Sequence, residues 1–164
     1  MAKIKMYGTQ EYAIKLSKLS TNSQAVAEKA IQEAAGIIAN QVRANIQALP
    51  AVKDIENIKA YKEGRKAHLS IKQKQGLLES LGITPVALDN GFYNAKIGFD
   101  GYNGIRTKKY PKGQPNQLIA RVAVSGSTYM DKTPFMRKAL TASRAKALQR
   151  MQEIIDNELE KIMK

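Results

Sequence analysis

The side chains that most often carry enzyme chemistry are sparse in this sequence. His68 is the only histidine, no cysteine is present, and no Gly-x-Ser-x-Gly, phosphate-loop or dinucleotide-loop pattern occurs. An acid–base site needs titratable groups gathered in one pocket, whereas His68 lies within the basic segment 51–69. The scattered acidic residues have no metal-ligand spacing. We therefore expect a protein that is not an enzyme and that binds no metal or other cofactor.

Two clusters could suggest chemistry but have simpler explanations. The glycines at 98, 101 and 104 only loosely resemble a nucleotide-binding loop, and no convincing helix follows them, which favours turns. Four carboxylates near the C-terminus have helical spacing that predicts a solvated helix face. They are Glu153, Asp156, Glu158 and Glu160.

The charge of the chain points to binding instead of catalysis. The formal net charge is +13, which favours a polyanionic neighbour, either nucleic acid or an acidic protein surface. Three phenylalanines and seven tyrosines are a poor supply of stacking platforms for single strands. Residues 101–116 combine glycines, prolines and cations, which predicts a long, basic, flexible loop. Its residues that could face a partner or DNA are Arg106, Lys108, Lys109 and Lys112, although a solvated loop without a partner is an equal alternative.

The length and hydropathy of the chain indicate an ordinary folded protein. The 164 residues, 43% of them hydrophobic, are enough for one domain with a real core, so we expect a single domain over residues 1–164. No window approaches the roughly 20 apolar residues of a spanning helix, and the N-terminus has no signal-peptide core. We expect a soluble protein that is made in the cytoplasm and has no membrane partner.

The N-terminal third is predicted to be mainly helical. Residues 3–8 suit a short strand, and a short helix from Thr9 to Leu19 is plausible, so residues 1–20 form an N-terminal extension. A clearer, long helix follows a capping box at 21–24 and ends before Pro50. Its many small residues favour packing inside its own domain, with a seam between subunits as the alternative.

The middle of the chain alternates helix and strand. Residues 51–69 look like an exposed, partly helical excursion, after which Ser70 caps a helix to about Leu81 that Gly82 closes. Alternation of polar and apolar residues predicts a strand over 92–100, and the turn at 89–91 makes it half of a hairpin.

The C-terminal third contains a short apolar element and a long helix. Asn116 can cap the apolar run 118–124, for which helix is favoured over strand, and Gly126 ends it. Thr133 and Pro134 then predict an N-cap and a first helical residue of a helix over 133–163. Its expected apolar face contains Phe135, Ala139, Leu140, Leu148, Met151, Ile155, Leu159 and Ile162. Because this helix is longer than so small a domain needs, part of it is expected to contact another copy, with Leu148, Met151, Ile155, Leu159 and Ile162 as candidates.

Three segments in order, 70–83, 95–101 and 116–139, resemble the small neck, or tail-completion, proteins of tailed bacteriophages and prophages, which join head and tail. The similarity covers about residues 22–160. Its most specific part is a Gly-Ser/Thr turn followed by Pro-Phe-x-x-x-Ala, here Gly126, Ser127, Thr128, Pro134, Phe135 and Ala139. Members of that family often carry a glutamate before the turn, where this chain has Val124 and Ser125, so contacts of that acid are not expected here.

The resemblance implies an α+β fold in which a small antiparallel sheet is flanked by a long N-terminal and a long C-terminal helix. It implies a virion protein that assembles as a ring in the neck, with six copies favoured and twelve as the alternative. The implied partners are head-connector or head-closure proteins and tail-terminator or tail-tube proteins, with protein favoured over channel DNA for the basic loop. The rival hypothesis is a sequence-independent nucleic-acid-binding protein, motivated by the net charge.

Overall fold

The computed structural model describes residues 9–163, with side chains described for residues 22–162. It confirms the predicted α+β class, with a long helix at each end and small antiparallel sheets between them. The predicted strand at 3–8 lies outside the described residues. The helices are α1 (Thr9–Ala48), α2 (Asp54–Lys62), α3 (Ile71–Ser80), α4 (Asn116–Ser125) and α5 (Phe135–Met163), and the strands are β1 (Leu81–Ile83), β2 (Ala87–Asp89), β3 (Phe92–Asn94) and β4 (Ile97–Phe99).

The first helix is continuous, so the prediction of two helices separated by a capping box at 21–24 is wrong. The side-chain amide of Gln24 donates to Glu28 one turn along the helix (2.8 Å) instead of starting a new helix. Residues 9–35 contain neither glycine nor proline. Ordinary polar residues cost only about 0.5 kcal/mol each in a helix interior, so a short polar run does not interrupt it.

α1 and α5 pack against each other in antiparallel orientation, with small side chains at the contact. Ala30, Ala34 and Ala39 of α1 are buried, as are Ala139 and Ala147 of α5, and such residues let two helix backbones approach closely. Residue numbers rise along α1 as they fall along its partner in three contacts: Lys29 with Glu158 (2.9 Å), Glu33 with Arg150 (3.4 Å), and the Asn45 side-chain amide with the Phe135 carbonyl (3.0 Å).

The main core lies where the C-terminal half of α1 meets α3, α4 and the start of α5. Its largest fully buried side chains are Phe135, Ile46, Leu77 and Val42. Around them pack Leu69, Leu81, Ile119, Ala120, Ala123 and Ala139.

α3 begins with the capping interaction that the sequence predicts. The Ser70 hydroxyl accepts from the Gln73 backbone N–H (3.3 Å), and the Gln73 side chain accepts from the Ser70 N–H (3.0 Å). The helix ends at Ser80, one residue from the predicted end, but Gly82 does not close it, because Leu81 is already extended and Gly82 lies inside β1. α2 confirms the partly helical character predicted for residues 51–69.

The four strands form one interrupted hairpin. β1 pairs with β4 and β2 pairs with β3, both antiparallel, around a turn in which Asn90 and Gly91 have positive φ (50° and 82°). The single strand predicted over 92–100 is therefore two strands. The Thr84 N–H still donates to the Lys96 carbonyl (2.9 Å). The strand pairing is interrupted after it because Pro85 has no N–H to donate.

α4 confirms the choice of helix over strand, but Asn116 does not cap it. Pro115 occupies the N-cap position, and the buried Asn116 donates from its side chain to the Asp100 carbonyl (3.0 Å). The last helix likewise begins at Phe135, and the Thr133 hydroxyl donates to the Asp131 carbonyl (3.5 Å) instead of capping the first turn. Both predicted caps therefore stabilise the preceding loops.

Gly76 provides a test of how tightly α3 packs. A Cβ at this position would lie 2.7 Å from Asn116 Oδ1 and 2.8 Å from Asn103 Cβ. We expect Gly76→Ala to lower the free energy of unfolding by about 1–3 kcal/mol through overpacking, despite the better helix propensity of alanine. Gly36→Ala in α1 is the matched control, because an added Cβ would have no heavy atom within 4 Å apart from the adjacent backbone of its own helix, and it should stabilise by about 0.5–1 kcal/mol. Denaturant titration measures both; equal changes would contradict the predicted close packing.

Candidate assembly surfaces

The basic loop (residues 101–116) is closed by its own backbone hydrogen bonds. Tyr102 and Pro115 form an antiparallel bridge at its base. The Asn103 N–H donates to the Gln114 carbonyl (2.9 Å), and the Gln114 N–H donates to the Ile105 carbonyl (3.0 Å). The composition predicted a loop, and these bonds give that loop a hairpin-like stem.

An amide network anchors this stem to α3. The buried Asn103 accepts from the Ile105 N–H (2.9 Å). Gln114 accepts from the side-chain amide of Gln73 (2.9 Å), the residue that completes the α3 capping box. The stem and the start of α3 therefore share one hydrogen-bonded network.

The predicted cations of the basic loop gather at its tip. Thr107 and Tyr110 exchange two backbone hydrogen bonds of 3.1 Å, which hold the tip closed. The Lys109 ammonium lies 5.5 Å from the centre of the Tyr110 ring. Among the described residues none of the tip cations forms an ion pair, and all are exposed: Arg106, Lys108, Lys109 and Lys112.

The Gly-Ser-Thr turn redirects the chain from α4 to α5. Gly126 has φ of 76°, and a Cβ there would lie 3.2 Å from Lys132. The Ser127 hydroxyl accepts from the N–H groups of Tyr129 (3.2 Å) and Met130 (3.1 Å), while Thr128 is exposed. These contacts favour a structural turn over a ligand site.

The start of α5 lies in the core. Phe135 is 1% exposed and meets Phe99 edge to face, with 6.1 Å between ring centres. Ala139 is completely buried one turn later, and Pro134 precedes the helix at its half-buried start. Phe135 and Ala139, two motif residues of the suggested family, are thus packing residues in this chain.

The single apolar face predicted for α5 is two faces in the structure. The buried face contains Phe135, Ala139, Ser143, Ala147 and Ile154. A second row, here called the outer stripe, remains open to solvent: Leu140 (50% exposed), Leu148 (54%) and Ile155 (37%). Met151, Leu159 and Ile162 are half-buried. The candidate contact residues are therefore either exposed or half-buried.

A groove between the end of α4 and the start of α5 was missed by sequence reasoning. It has a volume of about 730 Å³ and is called the α4–α5 groove below. Its apolar surface comes from Val124, Pro134 and Ala142, and its cations are Lys132, Arg137 and Lys138, with Ser125 and Thr141 completing the lining. The sequence did carry a signal for its positive charge, because residues 135–150 contain five Arg or Lys and no Asp or Glu.

The carboxylates near the end of α5 do not all lie on one solvated face. Glu153, Asp156 and Glu160 are exposed as predicted. Glu158 is half-buried and accepts from Lys29 of α1 (2.9 Å) and from Lys161 (3.0 Å). The hydrogen bond from Lys29, and to a smaller extent the one from Lys161, lowers the pKa of Glu158.

The remaining candidates for chemistry stay apart. His68 is exposed, and its backbone N–H donates to the Asn57 side chain (3.0 Å). Within the part of the chain that the structure describes, no group of three or more His, Asp or Glu side chains could hold a metal ion. No helix among the described residues is long and apolar enough to cross a membrane.

Comparison with known proteins finds no matching family model, no matching curated protein and no matching solved structure.

Proposed function

We propose that this chain is a structural protein of the bacteriophage neck, a protomer of a ring that completes the tail, joins it to the head connector, or does both. The observation that carries the proposal is the outer stripe of α5. It leaves large apolar side chains in solvent on a helix whose other face is already packed on α1. The ordered resemblance of three sequence segments supplies the biological setting.

A ring offers a physical use for that stripe. Interfaces between identical subunits have apolar centres, and exposed apolar rows on a helix mark such sites. At about 1.5 Å per residue, the 29 residues of α5 span roughly 43 Å, so the helix can contact a neighbour along much of its length. Six copies are favoured by the tail symmetry that the resemblance suggests, with twelve as the alternative.

The basic loop serves a different contact in this proposal. Its four cations form no ion pair with another described residue, and they lie at the tip of a stem that is anchored to α3. Acidic surfaces of head-closure, connector, tail-terminator or tail-tube proteins are the partners it fits best. Many phosphate contacts would slow DNA that must slide through a channel, which favours protein partners over DNA.

Removal of the chain from the virus that encodes it tests the function directly. Filled heads and separate tails should accumulate, and the purified protein should restore joining when it is added to both. Infectious, joined particles assembled without this chain would contradict the proposal.

Charge reversal in the basic loop should impair joining without unfolding the protein. We expect the triple variant Lys108→Glu, Lys109→Glu and Lys112→Glu to change the free energy of unfolding by less than about 0.5 kcal/mol, because all three side chains are exposed. Joining of heads to tails should fall by about tenfold or more, since like charges would then face each other.

The control for this variant is Lys53→Glu, Lys59→Glu and Lys62→Glu, which makes the same change in net charge at exposed positions in and beside α2. It should leave joining unchanged. Equal joining by the two triple variants would remove the basic loop from the interface.

A second candidate function, sequence-independent nucleic-acid binding, is favoured by the unpaired cations of the basic loop and of the α4–α5 groove. Titration of short duplexes of unrelated sequence at several salt concentrations separates the two functions. Micromolar affinity that is independent of sequence and collapses steeply with salt would support this second function.

A further inference from the structure

The α4–α5 groove combines an apolar surface with unpaired positive charge. Val124, Pro134 and Ala142 provide the apolar part. Among the described residues, none of its cations takes part in an ion pair: Lys132, Arg137 and Lys138. A ligand that fits must offer apolar side chains and carboxylates on one face.

The far end of α5 offers that combination. Residues 151–160, called the acidic end below, contain four Asp or Glu and no Lys or Arg, although the whole chain carries +13. Ile155 and Leu159 lie one turn apart there, with Asp156 and Glu160 beside them along the helix. Asp156 and Glu160 are exposed and form no ion pair with another described residue.

One protomer cannot bring its own two surfaces together. Arg137 and Glu158 lie on the same unbroken helix, and at 1.5 Å per residue they are roughly 30 Å apart along its axis. The ends of a helix that is packed on α1 along its length cannot fold back onto each other. The charge complementarity can therefore be satisfied only between molecules.

We propose that the acidic end of α5 in one copy docks in the α4–α5 groove of a second copy of this chain. Ile155 and Leu159 then cover the apolar surface of the groove, while Asp156 and Glu160 meet its cations. This inference rests on the proposed ring and names the contact that builds it.

The contact is heterologous, because the two copies contribute different surfaces. An open assembly then keeps a free groove at one end and a free acidic end at the other, so copies add head to tail until the ring closes. Ile155 and Leu159 supply buried apolar area, and the charges favour this register over others. The basic loop takes no part in the contact and stays available for other neck proteins.

Charge exchange between the two surfaces tests the contact. The groove variant carries Lys132→Glu, Arg137→Glu and Lys138→Glu, and the end variant carries Glu153→Lys, Asp156→Lys and Glu160→Lys. Each variant alone opposes like charges, so the concentration needed for half-assembly should rise by about 100-fold or more. An equimolar mixture of both should assemble, as should a chain that carries all six substitutions, because opposite charges face each other again.

Native mass spectrometry and light scattering measure these assemblies, and circular dichroism confirms that every variant is folded. The Lys53, Lys59 and Lys62 reversal is again the control and should assemble like the wild type. If the wild type, the groove variant and the end variant all assemble equally well, the proposed contact is wrong, but the proposed ring is not contradicted. Wild-type protein that stays monomeric at all concentrations, alone and on purified neck particles, would overturn both.

The absence of native cysteine allows a second measurement of the same geometry. Ala142 lies in the groove and Asp156 lies in the acidic end, and both are exposed. Within one chain they are about 21 Å apart along α5, far beyond disulfide reach, so any disulfide between Ala142→Cys and Asp156→Cys joins two molecules.

The double cysteine variant should give a ladder of crosslinked species beyond the dimer under mild oxidation. Either single variant should give almost none, and a mixture of the two single variants should stop at the dimer. Efficient dimers from one single variant, or wild-type assemblies fixed at two copies, would indicate a two-fold symmetric contact and overturn the head-to-tail arrangement.

Discussion

Replacement of Phe135 by alanine should lower the free energy of unfolding by about 3–5 kcal/mol. The ring is 1% exposed, packs edge to face on Phe99, and belongs to the cluster that joins α1, α3, α4 and α5. Truncation therefore removes buried apolar contacts and leaves a cavity that helices on several sides cannot easily close. At about 2–4 °C per kcal/mol for a chain of this length, the melting temperature should fall by roughly 10 °C.

Phe92→Ala is the matched control, because it removes the same side chain from a position that is 76% exposed in β3. We expect a change of no more than about 0.5 kcal/mol there. Thermal melts of both variants measure the two changes in melting temperature. A melting temperature that is unchanged by Phe135→Ala would show that the ring is not in the core.

Gly113→Ala should be the most damaging substitution in the basic loop, with a loss of about 2–4 kcal/mol in the free energy of unfolding. Gly113 has φ of 112°, and a Cβ would lie only 2.0 Å from the Asn103 carbonyl oxygen. That oxygen belongs to the backbone of a buried residue, so no side-chain rotation can relieve the clash. The stem of the loop must open, and its anchor on Gln73 is lost with it.

Gly104→Ala provides the comparison within the same loop. Its Cβ would have no heavy atom within 4 Å, and its φ lies outside the left-handed region, so stability should change by no more than about 0.5 kcal/mol. Denaturant titration and amide hydrogen exchange measure the two variants. If the Gln114 N–H exchanges as slowly in Gly113→Ala as in the wild type, the predicted opening of the stem is contradicted.

Interactions between residues close in the chain were predictable from the sequence. The Ser70 cap of α3, the turn at Asn90 and Gly91, and the glycine that ends α4 all appear as expected. Each depends on a few consecutive residues whose hydrogen-bonding groups and allowed φ values are intrinsic. Where several arrangements satisfy the same local preference, as for Asn116, a contact further away in the chain decided the outcome.

Among the residues proposed to act in assembly, those close together in the chain were again predictable, and those brought together by the fold were not. The basic loop was visible in composition, since its cations are consecutive or nearly so. The cations at the start of α5 were visible in the same way, but the α4–α5 groove was not, because Val124 becomes a neighbour of Arg137 only through the turn at Gly126. A pattern of residue types cannot show which separated segments a turn will bring side by side.

The sequence by itself determined that this chain is basic and contains short strands and two long helices, because periodicity and composition are properties of the residues themselves; the α+β arrangement of these elements was implied by the family resemblance. Only the tertiary structure decided which face of α5 is covered. The buried face combines the small residues Ala139, Ser143 and Ala147 with Phe135 and Ile154, while the outer stripe stays exposed to solvent. Close packing of two helices favours small side chains at the contact, so hydrophobicity alone could not show which residues of the predicted apolar face are covered.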